Sequence, residues 1–134
     1  MQSPVVTLCC VLVAALMPIV CAGIAKWGAF GQARGQGGFD NHDPRDWLSK
    51  QQGYRKRANA AQANCFEALP FFIGALLLAL HLQAPLTTVN GWALCFIGFR
   101  ALYVFFYLTD QATLRTVAWV AGLAVNVALL FAGV

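Results

Sequence analysis

Seven polar side chains interrupt an otherwise apolar chain, and their spacing is helical. Arg57, Asn64 and Glu67 are separated by seven and then three residues, and Arg100, Tyr103 and Tyr107 by three and then four. Both series place their members on one helix face. Arg115 follows at the head of another apolar run, and Gln62 lies beside the first series but off its stripe. A guanidinium grips a carboxylate through two parallel hydrogen bonds. Ionisable groups are costly in hydrocarbon and face a partner or a cavity. One structural alternative is a Glu67–Arg100 pair that holds helices together, since neither charge is tenable alone. A pair needs two residues, whereas seven groups with two phenols converge in this pattern. That fits a lined polar pocket.

The elements that must carry these residues are membrane spans. The chain has 134 residues, 60% hydrophobic and 10% charged, against roughly 25% charged in a soluble domain. Its surface suits lipid rather than water. No charge occurs from Met1 to Ala25, from Ala68 to Phe99, or from Thr116 to Val134. A spanning helix needs roughly 20 apolar residues. The middle run is too long for one span and is broken at His81-Leu82-Gln83-Ala84-Pro85. The reading is a single all-α domain over 1–134, a four-helix up-down bundle with helices at about 5–25, 58–82, 90–108 and 112–134. Pro18 and Pro70 fall inside helices and predict kinks. Pro85, Asn90 and Gly91 mark a short turn. The first span starts without basic residues and exceeds a typical signal-peptide apolar run, so it is read as retained.

Lys26, Arg34, Arg45, Lys50, Arg55, Lys56 and Arg57 gather in the 26–57 loop, and Arg115 lies near the last turn. The positive-inside rule places that loop in the cytoplasm and both termini outside. The basic loop can rest on anionic lipid head groups, so the net charge of +4 requires no nucleic acid. Cys9, Cys10, Cys21, Cys65 and Cys95 all fall in spans with no metal-ligand spacing, and read as small buried hydrophobes. His42 and His81 stand apart in loops, and no metal is assigned.

Two motifs carry a resemblance. The run Ala61-Gln62-x-Asn64-Cys65-x-Glu67-x-x-Pro70 resembles the second-helix signature of the MAPEG proteins, the membrane-associated proteins in eicosanoid and glutathione metabolism, and is similar to the leukotriene synthase branch. Arg100-x-x-Tyr103-x-x-x-Tyr107 resembles the third-helix motif, and Ala112-x-Leu114-Arg115 the start of the fourth. The Asp43-Pro44-Arg45 loop is most similar to small bacterial members, which implies a multi-pass protein of a bacterial inner membrane. The resemblance implies a homotrimer with sites between subunits, glutathione as cosubstrate and a lipophilic second substrate. It assigns glutathione contacts to Gln62, Asn64, Glu67, Arg100, Tyr103 and Tyr107, and thiolate stabilisation to Arg115. Eukaryotic members carry Arg where this chain has Ala60, and Arg57 is the expected stand-in. One residue is inserted between Tyr107 and Arg115 relative to the leukotriene branch.

Three functions follow in order: a glutathione-dependent transferase or peroxidase acting on lipophilic electrophiles, a non-catalytic lipid-binding protein of the same fold, and a small proton-coupled exporter using Glu67. The orientation predicts that an impermeant thiol reagent outside intact cells will not label Gln36→Cys on a cysteine-free background. Labelling there would reverse it.

Overall fold

The computed structural model describes residues 3–134. Four long helices, α1 (Val5–Lys26), α3 (Gly53–His81), α4 (Leu86–Leu108) and α5 (Ala112–Leu130), are each long and apolar enough to cross a membrane. A short α2 (Pro44–Ser49) lies between the first two. The chain is an integral, multi-pass membrane protein with the expected four-helix bundle. α1 and α5 each pack on both α3 and α4, from opposite sides of that central pair. Residues such as Leu8, Leu12, Ile19, Leu77, Leu94 and Val120 cover the outside, the surface expected where lipid is the solvent.

Small residues set the core. Ala14, Ala75, Ala79 and Ala93 are buried between helices and let backbones approach closely, as packing in lipid requires. Among them the rings of Phe72 and Phe96 stack 4.2 Å apart and nearly parallel. α1 and α3 run unbroken through Pro18 and Pro70.

Helix boundaries shift from the sequence reading for local reasons. α3 begins at Gly53, and its last residue is His81, which the sequence reading had placed in a loop. α4 begins at Leu86, directly after Pro85, so Asn90 and Gly91 are helical rather than turn residues. Asn90 is buried, accepting a 2.6 Å hydrogen bond from Thr7 Oγ1 and donating to the Ser3 carbonyl at 3.1 Å. These tertiary partners outweigh the preference of Asn for turns. α5 ends at Leu130.

The turns after α3 and α4 share one design. Gln83 and Asp110 adopt positive φ (59° and 61°). Ala84 N–H bonds Ala79 O and Gln83 N–H bonds Leu80 O; Gln111 N–H bonds Phe106 O and Asp110 N–H bonds Tyr107 O. This is the Schellman arrangement, which satisfies the last carbonyls of each helix.

The basic loop is folded. Asp43 caps α2 by accepting from Asp46 N–H at 3.2 Å, with Pro44 in the first turn. Phe39 packs edge-on against Phe30 and Trp47. Tyr54 and Arg55 donate to the Trp27 carbonyl at 3.2 and 3.1 Å. Arg34 pairs with Asp40, and this hydrogen bond, with that from His42 N–H, holds the Asp40 carboxyl below its usual range. A Cβ at Gly38 would lie 2.0 Å from Gln32 O, so the loop path needs glycine there.

Phe72→Ala should lower stability by about 3–5 kcal/mol, because it leaves a cavity opposite Phe96. Leu8→Ala, on the lipid-facing side, should change it little. Unfolding in mixed detergent micelles compares the two.

Candidate functional site

The site begins with Arg100. It stands on α4, only 4% exposed, and its guanidinium is met on several sides. Nη1 donates to Asn64 Oδ1 at 3.0 Å, Nη2 to Cys65 Sγ at 3.4 Å, and the group lies 4.3 Å from the centre of the Tyr103 ring. Asn64 passes the interaction on, since its Nδ2 donates to Glu67 Oε2 at 3.2 Å. Arg100 and Glu67 are therefore joined through Asn64 and not by a direct ion pair. Glu67 is exposed on the flank of α3, a position in hydrocarbon that a carboxylate holds only when something covers it.

A second chain of contacts runs toward the loop end. The Tyr103 and Tyr107 rings meet edge to face at 5.5 Å, and the Arg115 guanidinium lies 4.5 Å from the centre of the Tyr107 ring. Arg115 sits in the first turn of α5, where the helix dipole opposes a cation. The ring face offsets part of that cost.

Two adjoining clefts open along this seam. The one nearer the loop end, about 310 Å³, is lined by Asn64, Tyr103, Tyr107, Arg115, Thr116 and Trp119. The deeper one, about 160 Å³, shares Asn64 and Trp119 and adds Glu67, Arg100, Asn126 and apolar walls that include Phe71, Phe96 and Leu123. A polar mouth with an apolar floor suits an amphiphilic ligand or two ligands end to end.

Of the residues singled out in the sequence, the fold brings Asn64, Glu67, Arg100, Tyr103, Tyr107 and Arg115 together. Two lie elsewhere. Arg57 donates from Nε to the Leu108 carbonyl at 3.1 Å and approaches Asp110 at 3.9 Å, so it caps the end of α4 and lines neither cleft. Gln62 borders a separate groove with Arg45, Asn59, Ala60 and Phe66. Trp119 and Asn126 were missed, although both continue the Arg115 face at i+4 and i+11. Asn126, a lone amide deep in the last span, was the available signal.

Asn64→Leu should cost about 1–3 kcal/mol of stability by leaving Arg100 and Glu67 short of partners. Arg57→Ala should cost about 0.5–1.5 kcal/mol, the net worth of one hydrogen bond. Thermal unfolding of the purified variants checks both; an unchanged Asn64→Leu would show that the relay holds nothing.

The MAPEG family model matches residues 6–134. Comparisons with curated proteins and with solved structures give no match.

Proposed function

The chain belongs to the MAPEG family, and on that premise we propose that it is a membrane-bound glutathione-dependent transferase or peroxidase acting on lipophilic electrophiles. The observation that carries this reading is Arg115, held over the Tyr107 ring at the mouth of a polar cleft with an apolar extension. A cation set against the positive end of a helix dipole is a place built for an anion.

The residues fit glutathione, which carries two carboxylates, one ammonium and a thiol. Glu67 keeps one oxygen free of Asn64 and receives the ammonium. Arg115 and the two phenols supply donors at the mouth. Arg100 has two N–H groups committed to Asn64 and Cys65, so it orders Asn64 and Glu67 as well as bordering the cleft. A thiol of pKa about 8.5 is mostly protonated at neutral pH. A guanidinium and a helix N-terminus beside it favour the thiolate. The thiolate then attacks an electrophilic carbon lying over Trp119 and Phe96; a carbon–sulfur bond forms as the leaving group departs or an epoxide opens.

The proposed assembly is a homotrimer with sites between subunits, as MAPEG proteins generally are. Exposed Glu67 supports it, since a neighbouring copy would shield that carboxylate from lipid. The groove of Gln62 lies at the subunit surface, where this residue can serve a neighbour's site. We place the loop end in the cytoplasm on the asymmetry of Lys and Arg.

A non-catalytic lipid-binding role is the second reading. It is favoured by Arg57, whose guanidinium is occupied at the end of α4, and by Ala60, which offers no charge. A cation exporter fits less well, because Arg100 stands one amide away from Glu67.

Arg115→Ala should lower turnover of a thiol-reactive aromatic electrophile by roughly 10²–10³ and weaken glutathione affinity, measured by calorimetric titration, far less. Undiminished turnover would remove Arg115 from the catalytic role. Absence of glutathione binding in the wild type would favour the second reading.

A further inference from the structure

Asn126 takes no part in the chemistry above. It lies on α5 eleven residues beyond Arg115, about 16 Å further into the bundle at the helical rise. The residue is 2% exposed, and its Oδ1 is buried with no hydrogen-bond partner. It borders the deeper cleft on the same helix face as Trp119 and Gly122. Gly122 has no side chain to fill the space before it, and a Cβ there would touch only Phe99, at 3.7 Å. Asn126 therefore forms part of the lining of the cleft of about 160 Å³, with no side chain at position 122 standing before it.

A buried carbonyl oxygen without a donor carries its full desolvation cost. In hydrocarbon no solvent relieves it. Arg100 directs two of its N–H groups to Asn64 and Cys65, Asn64 gives its amide nitrogen to Glu67, and no donor lining the cleft reaches Asn126 Oδ1. The surrounding Phe71, Phe96 and Leu123 exclude a strongly hydrated group, and Arg100 and Glu67 on the same wall balance one another, so the lining calls for no net charge beside the amide. What remains is a neutral donor on an apolar body.

We propose that Asn126 is a specificity-determining residue whose amide oxygen accepts a hydrogen bond from a hydroxyl group carried by the lipophilic substrate. The substrate class is then a hydroxylated lipid, with its hydroxyl about 16 Å along α5 from Arg115 and its reactive end toward the mouth. The word substrate rests on the transferase reading; the binding of the lipid does not.

The test uses purified protein in detergent without glutathione. Its thermal unfolding midpoint is followed against increasing 1-dodecanol and against 1-methoxydodecane, which has the same chain and oxygen but no donor. Ligand that binds the folded state raises the midpoint in proportion to its affinity. The wild type should bind the alcohol about tenfold more tightly than the ether, the worth of one good hydrogen bond. Asn126→Leu should bind both equally, and without ligand should unfold at a higher temperature, because an unpaired buried amide is gone.

Equal binding of the two lipids by the wild type, or binding of neither, would overturn the proposal and leave water as the partner of the amide. A preference for alcohol retained in Asn126→Leu would overturn it as well. So would loss of the wild-type oligomeric state in Asn126→Leu, read by light scattering, which would assign the amide to a contact between subunits. If Asn126→Leu does not fold, the wild-type comparison decides. Conjugation of glutathione to a small aromatic electrophile is assayed in parallel. Conjugation without alcohol preference overturns this proposal alone, whereas alcohol preference without conjugation supports it and removes only the transferase reading.

Discussion

Arg100 puts a permanent positive charge in the apolar middle of α4, and a guanidinium is tolerated there only when its N–H groups and its flat face are met. That requirement draws Asn64 and Cys65 from α3 and Tyr103 from the next turn of α4 into fixed places. Asn64, once oriented by Arg100, presents its amide nitrogen to Glu67. The carboxylate is thereby held without neutralising the arginine by direct contact. Both charges keep unused hydrogen-bonding capacity beside a cleft, which a closed ion pair would not leave.

The same α4 face links this buried centre to the mouth. Tyr103 lies under Arg100 and Tyr107 under Arg115, with the two rings edge to face. The order cation, ring, ring, cation spaces two guanidinium groups that would otherwise repel, and gives each a π-face. The apolar part of the site follows from the core. The stacked rings of Phe72 and Phe96 set the position of Phe96, which forms a wall of the deeper cleft. Packing and binding are thus served by one set of side chains.

What the sequence disclosed tracks the physics of each signal. Uncharged runs of spanning length are dictated by lipid, and all four spans were readable from them. The series of seven and three, and of three and four, fixed which face of each helix is polar, and Asn64 with Arg100 meets across that seam. Arg57 shares the stripe with Asn64 but stands level with the end of α4 rather than its middle, and periodicity cannot tell which group a side chain meets across the bundle. Asn90 read as a turn residue because its partners, Thr7 and the Ser3 carbonyl, come from the far end of the chain. The folded loop had a local signal in Asp43-Pro44, a cap followed by a first-turn proline, within a segment noted mainly for its charge. Asn126 was passed over because one amide in an apolar run has no period.

The turn between α4 and α5 bears on how such a chain can change length. An extra residue inside a helix would rotate every later side chain by about 100° about the axis, carrying Arg115 off the cleft and Trp119 into lipid. In the turn, Asp110 reverses the chain as a single left-handed residue, and Arg57 ties the same point to α3 through Leu108 and Asp110. The turn therefore sets the phase in which α5 begins and delivers the Arg115 guanidinium to the Tyr107 ring. Length variation is tolerated where the backbone reverses and forbidden a turn to either side, so insertions and deletions among relatives should collect at residues 109–111 while the helices keep their phase.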